Sequence, residues 1–283
     1  MFAGLKIRKV LALTLAFAAL LITSACAAFQ PVDPNGPRSN APQYPIALAD
    51  VGGTRLEEAS LAWYQLSERY GVSGKTEANL HPYTGTLESL PANLPTSIHL
   101  PKVGDPAKPT EEDTRESLRR FIVEWQRLIG AEPDELSLVE RTDEPTGVKV
   151  ARYEQRPFRY PLRGGFGNLI IRFRSDGQIV GLSSNCIPNA DRLQTALGNV
   201  TPKVTREQAV DQVRNQRNLA ATAVAEPQQL VVYAQPAKAA EGAPQGASPG
   251  GLEMRLAWEI NVTNGSATKV YVDAVSNEII ATS

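Results

Sequence analysis

LAWEINVTNGSATKVYVDAVSNEII, residues 256–280, decides how this chain is read. Leu256, Trp258, Ile260 and Val262 alternate with polar or small neighbours, the period-two pattern of a strand with one buried face. Asn264 and Gly265 supply residues that accept positive φ, so the chain is expected to turn there. KVYVD, residues 269–273, then runs back, and a further turn near Asn277 leads into EII. The segment is therefore expected to be antiparallel sheet, and the question becomes what packs on it.

Working upstream, LVVYA (residues 230–234) is a further strand, separated from Leu256 by AQPAKAAEGAPQGASPGG, a stretch of small residues expected to be an exposed loop. Before it comes a helix. Thr205 and Gln208 have capping-box spacing, and Ala209, Val210 and Val213 give an apolar face. The same order occurs earlier in the chain. A helix from Thr110 carries Glu111, Glu112 and Asp113 against its N-terminal dipole, buries Leu118, Phe121, Ile122, Trp125, Leu128 and Ile129, and stops at Gly130. Strands follow it: Leu136 and Leu138 alternate with polar residues, VKVARYEQ continues, and LIIRFR turns at Asp176 and Gly177 into QIVGLSS. A type I′ hairpin turn is expected there, with Leu169, Ile171 and Phe173 on one face. A preceding helix starts at Thr54 with Glu57 in capping-box position, buries Leu56, Ala59, Trp63, Leu66 and Tyr70, and ends at Gly71. Residues 72–109 carry repeated prolines and little periodicity. Helix followed by antiparallel strands, stated twice, gives an α+β fold of two modules, each a helix packed on an antiparallel sheet.

The N-terminus is of another kind. Lys6, Arg8 and Lys9 precede an apolar run from Val10 to Ile22, too short to span a bilayer and typical of a secretory signal. ITSAC closes it at Cys26 and resembles the lipobox of bacterial lipoproteins, although Thr23 stands where that family prefers Leu, Val or Ile. The resemblance implies a diacylglycerol on the Cys26 thiol, tethering the protein through lipid to the outer face of a bacterial membrane or cell envelope. Ordinary cleavage after Ala25 or Ala28 would release the protein instead. The expected organisation is a signal peptide over 1–25, a proline-rich tether over 26–52, a first module with a helical extension over 53–200, and a second module over 201–283. Removing Lys6, Arg8 and Lys9 takes the formal charge from −1 to −4, which gives no electrostatic footprint for nucleic acid. With Cys26 assigned to lipid, Cys186 is left alone after a strand, where it reads as a small buried hydrophobe.

Residues 118–187 resemble the FTP module that opens fungalysin and thermolysin propeptides. Arg152, Tyr153 and Gln155 fit its strand, Tyr160, Pro161 and Leu162 the last three places of its Gly, aliphatic, Pro, Val tetrad, and Asp176 with Gly177 its hairpin. Arg159 occupies the glycine place. Residues 201–283 resemble PepSY, the module that follows FTP: VTREQAVDQV matches its opening helix, LAWEINV its central strand, and VYVDAVSNEII its closing hairpin, with Asn277 where the family has Gly. The resemblance implies modules that bind a thermolysin-type protease domain, assist its folding and block its cleft.

The protease itself is not expected within these residues. HEXXH places two histidines one helical turn apart for zinc and a glutamate to activate water. This sequence holds two histidines, His81 and His99, and neither is followed by Glu. There is no GXSXG elbow, no Walker loop and no dinucleotide fingerprint. RGGFG (163–167) lies between strands and reads as a flexible turn, Glu111 to Asp113 read as a helix cap, and the glycosylation sequons at Asn199 and Asn261 are discounted beside a bacterial signal. No catalytic residue, metal or cofactor is expected. The expected role is a non-catalytic exported lipoprotein that binds, and inhibits or regulates, an extracytoplasmic peptidase, through Tyr160, Pro161, Leu162, Trp258 and Tyr271. Core packing is the competing role for Trp258. The alternative is a structural or sensory module of the cell envelope with a non-peptidase partner.

Overall fold

In a computed structural model of the chain, the strand at residues 252–263 is the spine of a six-stranded sheet. The described residues are 44–48, 53–72, 76–91, 98–105, 110–156, 158–216, 223–237, 251–264 and 268–283. Cys26, the signal segment, Gly265 and the middle of the long loop before Leu252 lie outside them. The fold is α+β, with antiparallel sheets and a few helices.

The first sheet has five strands in the order β4-β9-β8-β6-β5, where β4 is Ile98–His99, β5 Leu136–Asp143, β6 Val148–Gln155, β8 Asn168–Arg174 and β9 Gln178–Ser184. A two-stranded ribbon, β2 (Asn79–Leu80) and β3 (Leu87–Ser89), stands beside it. Leu169, Ile171 and Phe173 all point into the core, as the alternation requires. Facing them are α1 (Gly53–Arg69), α2 (Glu111–Glu124) and α3 (Gln126–Ile129). Thr110 caps α2, its hydroxyl accepting from the Asp113 amide at 3.1 Å while Asp113 accepts from the Thr110 amide at 3.0 Å. Trp125 (φ −111°) separates α2 from α3, and Gly130 (φ 85°) ends α3. Every member of the expected α2 and α3 stripe is buried. In α1 the inward face is Ala59, Ala62, Trp63 and Leu66, and Leu56 is exposed. Ala59 and Leu66 each sit one turn from Ala62 and Trp63, while Leu56, in the first turn of the same helix, stays exposed.

The second sheet runs β13-β12-β11-β10-β7, with β1 sharing one side of β11 with β12. Here β1 is Ile46–Leu48, β7 Leu162–Arg163, β10 Val224–Pro236, β11 Leu252–Thr263, β12 Lys269–Asp273 and β13 Ile279–Thr282. Two helices cover one face. α5 (Arg206–Gln216) lays Ala209, Val210 and Val213 on Ile260, Val262, Val270 and Val272, capped by Thr205 and Gln208 as the spacing requires. α4 (Ala190–Gly198), which the sequence reading leaves out, lays Leu193 and Leu197 on Val232, Ala234, Leu252 and Met254. Burying one such aliphatic side chain contributes about 1.5–3 kcal/mol.

Two further expectations are corrected. Residues 44–48 of the expected tether are part of the fold: Ile46 is buried, β1 pairs with Leu252–Met254, and the Tyr44 hydroxyl donates to Asp273 Oδ1 at 3.0 Å. The turn at Asp176 and Gly177 is not type I′, because only Gly177 has positive φ (85°). Its amide donates to the Arg174 carbonyl at 2.9 Å, and the register shifts between Arg172 and Phe173, the pattern of a type I turn closed by a left-handed glycine and a bulge. Asn277 does adopt the left-handed conformation (φ 64°) at the β12–β13 turn.

Candidate functional site

Residues 158–167 cross out from the first sheet after β6, lend β7 to the second, and return to the first at β8. Gln155 fixes the start of the crossing: its side chain is buried, donates to the Ile187 carbonyl at 2.9 Å and accepts from the Ile187 amide at 2.8 Å. Its own amide donates to the Gly167 carbonyl at 2.7 Å, so the two ends of the crossing are pinned together. Between them β7 runs parallel to β10, with the Val232 amide donating to the Pro161 carbonyl at 2.9 Å. Gly164 (φ 100°) presses so closely on β10 that a Cβ there would meet the Ala234 carbonyl oxygen at 1.9 Å. RGGFG is therefore a close-approach loop, and only glycine fits it at residue 164.

This crossing and the sheet enclose a cleft of about 650 Å³, within the ~300–1,000 Å³ usual for ligand sites. Tyr160, Pro161 and Leu162 line one side of it and Tyr233 and Tyr271 another, with Phe158 and Phe166 also on its walls. Four of the five residues expected to form a partner surface thus come together. Trp258 does not join them. Register pairs Trp258 with Val272 and Glu259 with Tyr271, so Trp258 points to the opposite, helix-covered face. Its indole N–H donates to the Val204 carbonyl at 3.0 Å, and Arg206 lies over its ring at 6.0 Å. Its place on the contact surface is corrected to one of packing against α5.

Glu259 organises the face that Trp258 turns away from. Its side chain is 3% exposed, and its two oxygens accept four hydrogen bonds. Lys269 Nζ reaches Oε1 at 3.0 Å, Arg163 Nε and the Tyr271 hydroxyl reach the same oxygen at 3.3 Å, and Gln229 Nε2 reaches Oε2 at 3.1 Å. Burial pushes the carboxyl upward, but the Lys269 and Gln229 hydrogen bonds and the Arg163 and Lys269 charges outweigh it and hold the group below its usual range. Burial, then the Glu259 charge, push the Tyr271 phenol up to about 12. Tyr271 packs against Tyr233 with ring centroids 4.6 Å apart and the planes tilted by 43°. Together they form a fixed aromatic floor, since each ring restrains the other and Glu259 holds one hydroxyl.

A second ionic group braces the same face. Arg255 donates to Asp273 Oδ2 and to Glu253 Oε1, each at 3.0 Å, and the fully buried Asp273 also accepts from the Val275 and Ser276 amides at 2.7 and 3.0 Å. Sequence reading missed Glu259, Arg163, Tyr233, Phe158 and Phe166. A charged residue between Trp258 and Ile260 in a buried strand was the available signal.

Cys186 is fully buried and unpaired. Among the described residues no group of three or more His, Cys, Asp or Glu converges as metal ligands, and no helix is long and apolar enough to cross a membrane.

No protein-family model matches the chain. Over 141 residues, 48% of its length, it is 28% identical to thermolysin of Alicyclobacillus acidocaldarius subsp. acidocaldarius, and to the same degree to the thermolysins of Bacillus caldolyticus and of Bacillus sp. strain EA1. The match covers 22% of each of those proteins, so the chain spans about a fifth of their length. That partial similarity links the chain to peptidase-related sequences.

Proposed function

We propose that this chain is a non-catalytic exported lipoprotein that docks on an extracytoplasmic peptidase and inhibits or regulates it. Its modules act in the manner of the FTP and PepSY modules of thermolysin-type propeptides. The observation that carries this reading is the convergence of Tyr160, Pro161, Leu162 and Tyr271 on one cleft, in a chain partly similar to thermolysin. The cleft is built for contact. Its walls set aromatic and apolar side chains beside arginines, its floor is held by the Glu259 network, and its loop is pressed onto β10 at Gly164. Such preorganisation lowers the ordering cost of association. Cys26 carries the lipid that keeps the protein at the outer face of the membrane, and no bond-breaking group of the chain takes part.

Titrating the full chain into thermolysin-type peptidases, those secreted by its own source cells included, while following hydrolysis of a chromogenic peptide, tests the reading. The expected result is a saturable fall in rate. Full activity at about a hundredfold excess over a micromolar affinity would overturn it. Mass spectrometry of the N-terminal peptide checks the acyl chains on Cys26.

A further inference from the structure

The charged groups along the cleft are uneven. Arg156, Arg159 and Arg163 line it against one acidic side chain, Glu154, on a chain whose formal charge is −1 overall. Two of the arginines are occupied. Arg156 Nη2 donates to Glu154 at 3.2 Å, and Arg163 is bound to Glu259 at 3.3 Å. Ser283 also lines the cleft, where its backbone oxygen accepts from the Thr268 and Lys269 amides at 2.8 and 3.0 Å. Arg159 is different. It is exposed, its guanidinium lies over the Tyr160 ring at 5.5 Å, and among the described residues it has no hydrogen bond or ion pair. Stacking on the ring leaves its planar edge of donors free and holds it in a narrower range of positions than a free side chain would have.

We propose that this cleft receives an extended acidic segment of the partner peptidase, seating an aromatic side chain on the Tyr233–Tyr271 floor and a carboxylate on Arg159. The inference rests on the peptidase-docking reading and specifies its chemistry. A carboxylate can take two parallel N–H donors from the guanidinium edge, which an amide or hydroxyl matches less well. The aromatic pair offers ring faces and edges to a second ring, worth more than area alone. Charge complementarity therefore selects an acidic over a basic segment, and the aromatic floor selects a peptide carrying Phe, Tyr or Trp over a purely anionic chain.

The probe is a fluorescein-labelled, terminally blocked peptide of alternating Phe and Asp, with a second in which Lys replaces Asp and a thymidine oligonucleotide of similar length. Fluorescence anisotropy with the full chain reads binding. The Phe–Asp peptide binds at least about tenfold more tightly than either control, and Arg159→Ala weakens it about five- to tenfold with no shift in melting temperature, as expected for an exposed charged contact. Added salt weakens it as well. Equal affinity for the Lys peptide, binding of the oligonucleotide as tight as the peptide, or an Arg159→Ala variant that binds like the parent overturns the proposal. Running the parent and an Arg159→Glu variant in the peptidase titration separates the two claims. Inhibition that survives Arg159→Glu sinks the acidic-segment inference and leaves docking standing, whereas selective peptide binding without any inhibition sinks docking and leaves the cleft's chemistry standing.

Discussion

Replacing Glu259 with Gln keeps the shape of the side chain and removes one charge from under the cleft. Four donors converge on the native carboxylate, from Lys269, Arg163, Tyr271 and Gln229. Hydrogen bonds to a charged group contribute about 1.5–3 kcal/mol against about 0.5–1.5 for neutral pairs, so each strong bond loses about 1 kcal/mol. Lys269 is 43% exposed and Arg163 32%, so solvent screens much of their share. The expected loss at neutral pH is about 1–2 kcal/mol, or roughly 2–8 °C in melting temperature for a chain of this size. The pH dependence has a fixed sign. Because the native carboxyl lies below its ordinary value, its stabilisation is complete above the unfolded value near ~4.3 and is lost as pH falls through the depressed native value. The gap between parent and Glu259→Gln should therefore be flat through neutral pH and close in acid. Urea unfolding followed by tryptophan fluorescence at about pH 7 and about pH 3 measures it. A gap of the same size at both, or none at neutral pH, would refute the account of Glu259 as the charged organiser of this face. The same variant should lower the Tyr271 phenol from about 12, though not to its free value, since burial is the larger cause and remains.

Two other expectations are open to direct measurement. Gly164→Ala must move backbone, because its Cβ meets the Ala234 carbonyl at 1.9 Å, whereas Gly165→Ala has nothing within 4 Å and suffers only its positive φ; Gly164→Ala should cost more than the ~1–2 kcal/mol of Gly165→Ala and abolish peptidase inhibition, and equal losses would contradict the close approach. Cys186 is fully buried with its thiol pushed up to about 12 chiefly by burial, so iodoacetamide should leave it unlabelled in the native protein at about pH 8 and modify it on denaturation; fast native labelling would show that α3 and β9 do not enclose it.

What could be read from the chain alone was whatever its local chemistry fixes. Thr110 and Asp113, Thr205 and Gln208, and the glycines at 130 and 177 stop or start elements through groups a few residues apart, and those boundaries are legible. The period-two run at Leu169–Phe173 likewise assigns its own buried face, whereas Leu256–Val262 is covered on both sides, with Ala257 and Glu259 buried opposite Leu256, Ile260 and Val262. α4 and β1 were not legible. Nine residues of α4 and three of β1 carry too little periodicity to stand out, and they are held by the sheet they cover or extend.

The site divides along the same line. Tyr160, Pro161, Leu162 and Tyr271 are candidates by residue type, and sequence alone supplied them. Whether Trp258 belongs beside Tyr271 depends on register between β11 and β12, and one residue of slip would exchange every face. The pairing of Glu259 with Tyr271 decides it, putting Trp258 under α5 and raising a carboxylate, a lysine and an arginine from distant segments into one network. Local sequence determined the elements and their buried sides; long-range pairing, which no short window contains, chose which side chains share the cleft.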